Sequence, residues 1–182
     1  FIDKLPTNQS WKSFVRGQIY AQLGDIDTAA DHFAKVETEF MNLNDYMYVM
    51  SFYTHHDMQD RADALRAEFS SLPGGMFMAD YKNIPDWSIY EGYENQLAFS
   101  LVQNVSHTQI MMYSDLAMLL LRFAQIIAPD FAYNNNTIDY YLGQYFYTNV
   151  GNYQKHFEKI KQDSPFYPFA RLRMIKKNQD IE

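Results

Sequence analysis

The sequence predicts an all-α fold made of antiparallel helix pairs stacked one after another. Three observations carry that prediction. First, Gly17, Tyr20, Gly24, Ala29, Phe33 and Val36 stand at the spacings two packed helices need. Gly17 admits a close neighbour, Tyr20 fills the gap beside it, and Gly24 turns the chain. Ala29, Phe33 and Val36 then face back onto the first helix. Second, Met50, Tyr53, Asp57, Ala62 and Phe69 repeat five of these places 33 residues later, near the period of about 34 of a helix–turn–helix repeat. Third, Ile26, Ala29, Ala30, Phe33, Val36 and Phe40 recur at three- and four-residue steps, the periodicity of one helical face.

The elements follow in order. Residues 10–23 read as a helix with Ser10 as its cap and Gly24 as its terminator. Residues 26–40 form its partner, with Asp31, Lys35 and Glu39 on the outer face at i,i+4 spacing. The second pair is 44–55 and 59–71, where Asp57 replaces the turn glycine at some backbone strain. Residues 72–86 interrupt the pattern, because Pro73, Gly74, Gly75 and Pro85 break any helix. That stretch reads either as a hinge between two halves or as an ordered loop.

A third pair is expected at 87–104 and 114–128, joined by a long linker and stopped by Pro129. The fourth begins with 135–149, where Tyr147 and Gly151 stand four apart, as Tyr20 and Gly24 do. Phe157 follows Gly151 by six residues whereas Phe33 follows Gly24 by nine. Three residues are therefore missing, close to one turn of 3.6, and a short helix is expected at 153–162. Pro165 opens a last helix, 165–178, that caps the array. The whole is read as one domain, 1–182, with units at about 10–41, 43–72, 87–129 and 135–163.

Composition narrows the function. Hydrophobic residues are 47% and charged residues 20%, enough apolar content to bury a core. A net charge of −7 repels a nucleic-acid backbone, so no nucleic-acid partner is expected. The one basic cluster, Arg171, Arg173, Lys176 and Lys177, reads as a solvated last helix with its cations towards the C-terminal end. The alternative for that cluster is phosphate or anionic-lipid binding. With no cysteine, disulfides and thiolate zinc sites are excluded. The most apolar run, 116–128, contains Arg122 and is 13 residues long, short of the roughly 20 a membrane span needs. The chain opens on Phe1 rather than Met, which is read as the start of a fragment or processed product.

No residue pattern announces catalysis. His55, His56 and Asp57 are adjacent, and neighbours on a helix point about 100° apart, which suits a metal poorly. His32, His107 and His156 are scattered and lack a nucleophile motif. Gly74–Gly75 lacks the Lys-Ser/Thr of a phosphate loop. Asp25/Asp27 and Asp60/Asp63 sit at capping and surface positions. Neither a catalytic residue nor a metal or cofactor is assigned.

The spacing of Gly17, Tyr20, Gly24, Ala29, Phe33 and Val36 resembles that of tetratricopeptide (TPR) repeats. The stretch 117–131, AMLLLRFAQIIAPDF, and the stretch 163–172, DSPFYPFARL, resemble an alphaproteobacterial family of such proteins. The resemblance implies a right-handed superhelix whose first helices line a concave groove. It places Phe14, Gln18 and Gln22 on that groove in unit one, Met47, Ser51 and His55 in unit two, and Tyr141, Tyr145 and Asn149 in unit four, with core packing as the alternative for Tyr141 and Tyr145. It implies further repeats upstream and a periplasmic or envelope-associated location, with the cytoplasm as the alternative. The carboxylate-gripping positions of some TPRs are here Phe14, Gln18, Met47 and Ser51, so no such clamp is expected. The expected function is a non-enzymatic scaffold that binds a peptide or partner protein in the groove. The alternative is a structural module that packs on its own chain or self-associates.

Overall fold

Local chemistry at each helix end sets the element order. Asn8 accepts a hydrogen bond from the Trp11 amide at 2.7 Å and so starts α1, Gln9–Gln22. The expected cap, Ser10, is instead the second residue of the helix and is buried. Its hydroxyl accepts from the Glu37 amide at 3.3 Å, 27 residues away. Asp25 caps α2, Ile26–Phe33, by accepting from the Thr28 amide. This helix stops well short of residue 40. The Glu37 amide is taken by Ser10, and the Thr38 hydroxyl donates to Glu68 at 2.8 Å. After Phe33 the amides of Lys35 and Val36 close i→i−3 turns, so Val36 and Phe40 lie outside the helix with Phe40 49% exposed, and Thr38–Phe40 follow as a 3₁₀ turn. A capping box between Asn42 and Asp45 opens α3, Leu43–His55. Gln59–Ser71 form α4.

The structure is a computed structural model and describes residues 8–73, 75–107, 115–131, 136–148 and 151–179. All regular structure among the described residues is helical. The chain divides into two compact units, Phe1–Trp87 and Ser88–Glu182, so the division falls at the end of the 72–86 break.

In the first unit α1 packs on α2 and α3 on α4. Phe33 is the hub. Its ring lies 5.8 Å from Phe14, 6.0 Å from Tyr48 and 5.0 Å from Phe52, all edge to face at 61–69°. Any Cβ on Gly17 would collide with that ring. Both turns close alike: the amide of Asp25 donates to the Tyr20 carbonyl at 3.0 Å, and that of Met58 to the Tyr53 carbonyl at 2.9 Å. The residue before each amide is left-handed, Gly24 at φ +75° and Asp57 at φ +55°. This is the Schellman ending, which glycine adopts freely and aspartate only at a cost. Tyr46 stacks on Phe69 at 4.2 Å, and the Tyr53 hydroxyl donates to the Ala30 carbonyl at 3.4 Å.

The second unit opens with a 3₁₀ turn that runs from Trp87 to Tyr90 across the division. α5 begins only at Tyr93 and runs to His107, because Gly92 at φ +83° breaks the helix expected from 87. α6 is Asp115–Ile127, α7 Thr137–Thr148, α8 Gln154–Phe157 and α9 Tyr167–Gln179. α5 packs on α6, α6 on α7, and α7 on α8, which also meets α9. Ala98, Phe99 and Val102 of α5, with Ala117, Leu121 and Ala124 of α6, are buried. Tyr90, Phe99 and Phe131 make a second aromatic cluster at 5.4–6.3 Å.

The α7/α8 pair repeats the α1/α2 pair in atomic detail, in a register one residue from the expected one. A Cβ on Gly143 would strike Phe157 as one on Gly17 would strike Phe33. Phe146 stacks on His156 at 5.2 Å and 6°, matching Tyr20 on His32 at 5.4 Å and 9°. The Gly151 amide donates to the Phe146 carbonyl at 2.8 Å. Phe146 and Gly151 thus hold the places of Tyr20 and Asp25, not Tyr147 and Gly151 those of Tyr20 and Gly24. The glycine-to-phenylalanine interval is 14 residues here against 16 in the first pair, so the shortening is two residues. The short helix is correspondingly shorter than 153–162.

Each glycine contact should therefore behave as an overpacked site when filled. Gly17→Ala and Gly143→Ala should each lower stability by about 1–3 kcal/mol, the usual cost of forcing extra volume into a packed interior. Urea denaturation followed by circular dichroism measures this. Wild-type midpoints for both variants would contradict the contacts.

Candidate functional site

The nine positions implied to line a groove separate into three groups. Phe14, Met47 and Ser51 are buried. Phe14 packs in the first-unit core, 5.8 Å from both Phe33 and Tyr48. Gln18 is half-buried, and Gln22 and His55 are exposed. In the second unit Tyr141 and Tyr145 are 7% and 8% exposed. The Tyr145 hydroxyl donates to Asp115 at 2.6 Å, and this bond to a carboxylate raises its pKa above the usual phenol value. Tyr141 lies 6.5 Å from Phe166. Asn149 falls outside the described residues.

What stays accessible in the first unit lies towards the C-terminal ends of two first helices. Gln22 on α1 and His55 on α3 are 33 residues apart and hold equivalent repeat places. The His55 ring lies 4.8 Å from His56, edge to face, and His56 packs against Phe52 and Trp87. Exposed Ile19 and Leu23 add apolar area near the end of α1. The exposed groups at these two helix ends are an amide, an imidazole and two aliphatic side chains. Among the described residues no group of three or more His, Asp or Glu is placed to hold a metal ion. No helix among them is long and apolar enough to cross a membrane.

A polar centre that spacing did not predict sits between α6, α7 and α8. His156, buried, places Nδ1 3.0 Å from Asp139 Oδ1. The Lys159 ammonium is 3.7 Å from the same oxygen. Arg122 approaches His156 Nε2 at 3.5 Å and also donates to Gln125 at 3.0 Å. A guanidinium offers only donors, so Nε2 accepts and Nδ1–H donates to Asp139. Both ring nitrogens are engaged, so the ring links α8 to α7 through Asp139 and to α6 through Arg122. A signal for it was present: the dipeptide His-Phe occurs at 32–33 and again at 156–157.

The equivalent histidine of the first pair is differently surrounded. His32 stacks on Tyr20, and its pKa is lowered, first by desolvation and then by Lys35 and Arg16, with Asp31 opposing. Comparison with known families, with characterised proteins and with solved structures gives no match to this chain.

The lowered pKa of His32 fixes the sign of a pH effect. Above the unfolded value of about 6.5 both states hold it neutral, and the folded state keeps its full advantage. As pH falls below that value the unfolded chain takes the proton first, so stability drops until the lower folded pKa is passed. Thermal melts from neutral to mildly acidic pH should show this fall, and His32→Gln should flatten part of it. A slope identical in the variant would remove His32 as a contributor.

Proposed function

We propose that the chain is a tetratricopeptide-like array, a right-handed superhelix of helix pairs, that serves as a non-enzymatic scaffold for a peptide or partner protein. The observation that carries this reading is the recurrence of one joint. The same glycine-against-ring contact, the same stacked His and the same Schellman bond occur in α1/α2 and α7/α8. The α3/α4 turn repeats the bond. Repeated helix pairs stack into extended surfaces that bind other chains. The contacts of His156 with Asp139 and Arg122 tie α8 to α7 and α6, which supports a structural use of that cluster. On this reading Gln18, Gln22 and His55 form the accessible part of the binding face.

The test is site-specific photo-crosslinking in lysate of the source cells. A benzoylphenylalanine is placed at Gln22, at His55, or at exposed Asp63 on α4 as control. The expected outcome is one partner captured from both Gln22 and His55, competed by unlabelled chain, and absent from Asp63. No product, or the same products from all three sites, would sink the groove reading.

A second reading has its own support in α6. Leu116, Leu119, Phe123 and Ile126 are all exposed and alternate steps of three and four, the seam spacing of packed helices. Such a stripe fits a module that packs on further repeats or on another copy. Sedimentation velocity over a concentration series should show self-association that Phe123→Ser with Ile126→Ser abolishes. A wild type that stays monomeric throughout would exclude association between copies.

A further inference from the structure

The last helix carries a surface of a different kind from the α1 and α3 positions. α9, YPFARLRMIKKNQ, contains Arg171, Arg173, Lys176 and Lys177 and no acidic residue, in a chain with 22 acids and 15 bases. Ala170 is buried and Tyr167 and Met174 are half-buried, which fixes the inward side. At 100° per residue the opposite side holds Leu172 and Ile175 next to each other, 62% and 56% exposed. Arg171 and Lys176 flank that pair, one on each side. The two guanidinium groups are also held in place: Arg171 lies over the Tyr167 ring at 5.4 Å, and Arg173 over the Tyr147 ring at 5.7 Å.

We propose that this face of α9 docks an acidic amphipathic helix of a partner protein, its aliphatic stripe on Leu172 and Ile175 and its carboxylates on Arg171 and Lys176. Charge complementarity selects the occupant. At physiological salt fields fade within about 8 Å, so an approaching group senses the cations of α9 rather than the net negative body. A guanidinium fixed over a ring meets a discrete carboxylate with little ordering cost. An anionic bilayer fits less well, because an interfacial helix sinks an apolar face along its length, and this stripe is one turn long. Single-stranded nucleic acid stacks its bases on aromatic faces, whereas the centre here is aliphatic.

The test pans a phage library of randomised helical peptides on the intact chain. The expected result is enrichment of peptides with Asp or Glu beside an i,i+4 aliphatic pair. Lys176→Glu alone, Arg171→Glu with Lys176→Glu, and Leu172→Ser with Ile175→Ser should each weaken binding of an enriched peptide, the charge reversals by about tenfold or more. Circular dichroism melts confirm that each variant is folded. The proposal is overturned if no acidic peptide is enriched, or if Lys176→Glu binds the peptides unchanged. Retention by phosphatidylglycerol vesicles without acidic peptides would replace it with a membrane role. Crosslinks from Gln22 and His55 are independent of these variants, so failure here leaves the first-unit reading standing, and the reverse.

Discussion

A phenylalanine ring and a missing side chain close two of the helix pairs. Phe33 can lie on α1 only because Gly17 presents bare backbone, and Phe157 lies on α7 because of Gly143. Much of the surrounding geometry follows from that approach. With the helices this close, the ring one turn along the first helix, Tyr20 or Phe146, comes to rest flat on the histidine before the phenylalanine. Phe33 in turn sets the places of Phe14, Tyr48 and Phe52, which pack edge-on around it. A buried ring of this kind stabilises by a few kcal/mol, comparable to a large part of the margin by which a domain is folded.

Spacing made most of the first pair readable, because Gly17, Tyr20, Gly24, Ala29 and Phe33 each answer a local packing or turning need, whereas Val36 lies past the end of α2. It also gave α4, whose turn keeps the same bond with Asp57 in place of glycine. The fourth pair was readable in kind but not in register. Tyr147 and Gly151 copy the identity and interval of Tyr20 and Gly24, while the working contacts belong to Phe146, Gly143 and His156. Aromatic residues substitute for each other in such a stack, so identity was the weaker guide and the His-Phe dipeptide the better one.

The end of α2 lay beyond local reasoning altogether. Ser10 and Glu68, distant in sequence, take the hydrogen-bonding groups of Glu37 and Thr38. The groove positions met a similar limit. Phe14 and Gln18 share a helical face by spacing, yet one is buried and the other half-buried. Periodicity says which residues lie together; what covers them depends on the rest of the chain.

The contact between Gly17 and Phe33 joins residues 16 positions apart, and that between Gly143 and Phe157 residues 14 apart. Loops of about ten residues close within roughly 10–100 ns, and chains rich in such near contacts fold fast for their size. Each joint is therefore complete within a segment far shorter than a domain. The contact that brings α1 onto α2 needs no residue beyond 33, although the full packing of Phe33 also needs Tyr48 and Phe52. The same glycine that lets the helices approach also makes the contact between them a short-range one, the kind that closes quickly in a folding chain.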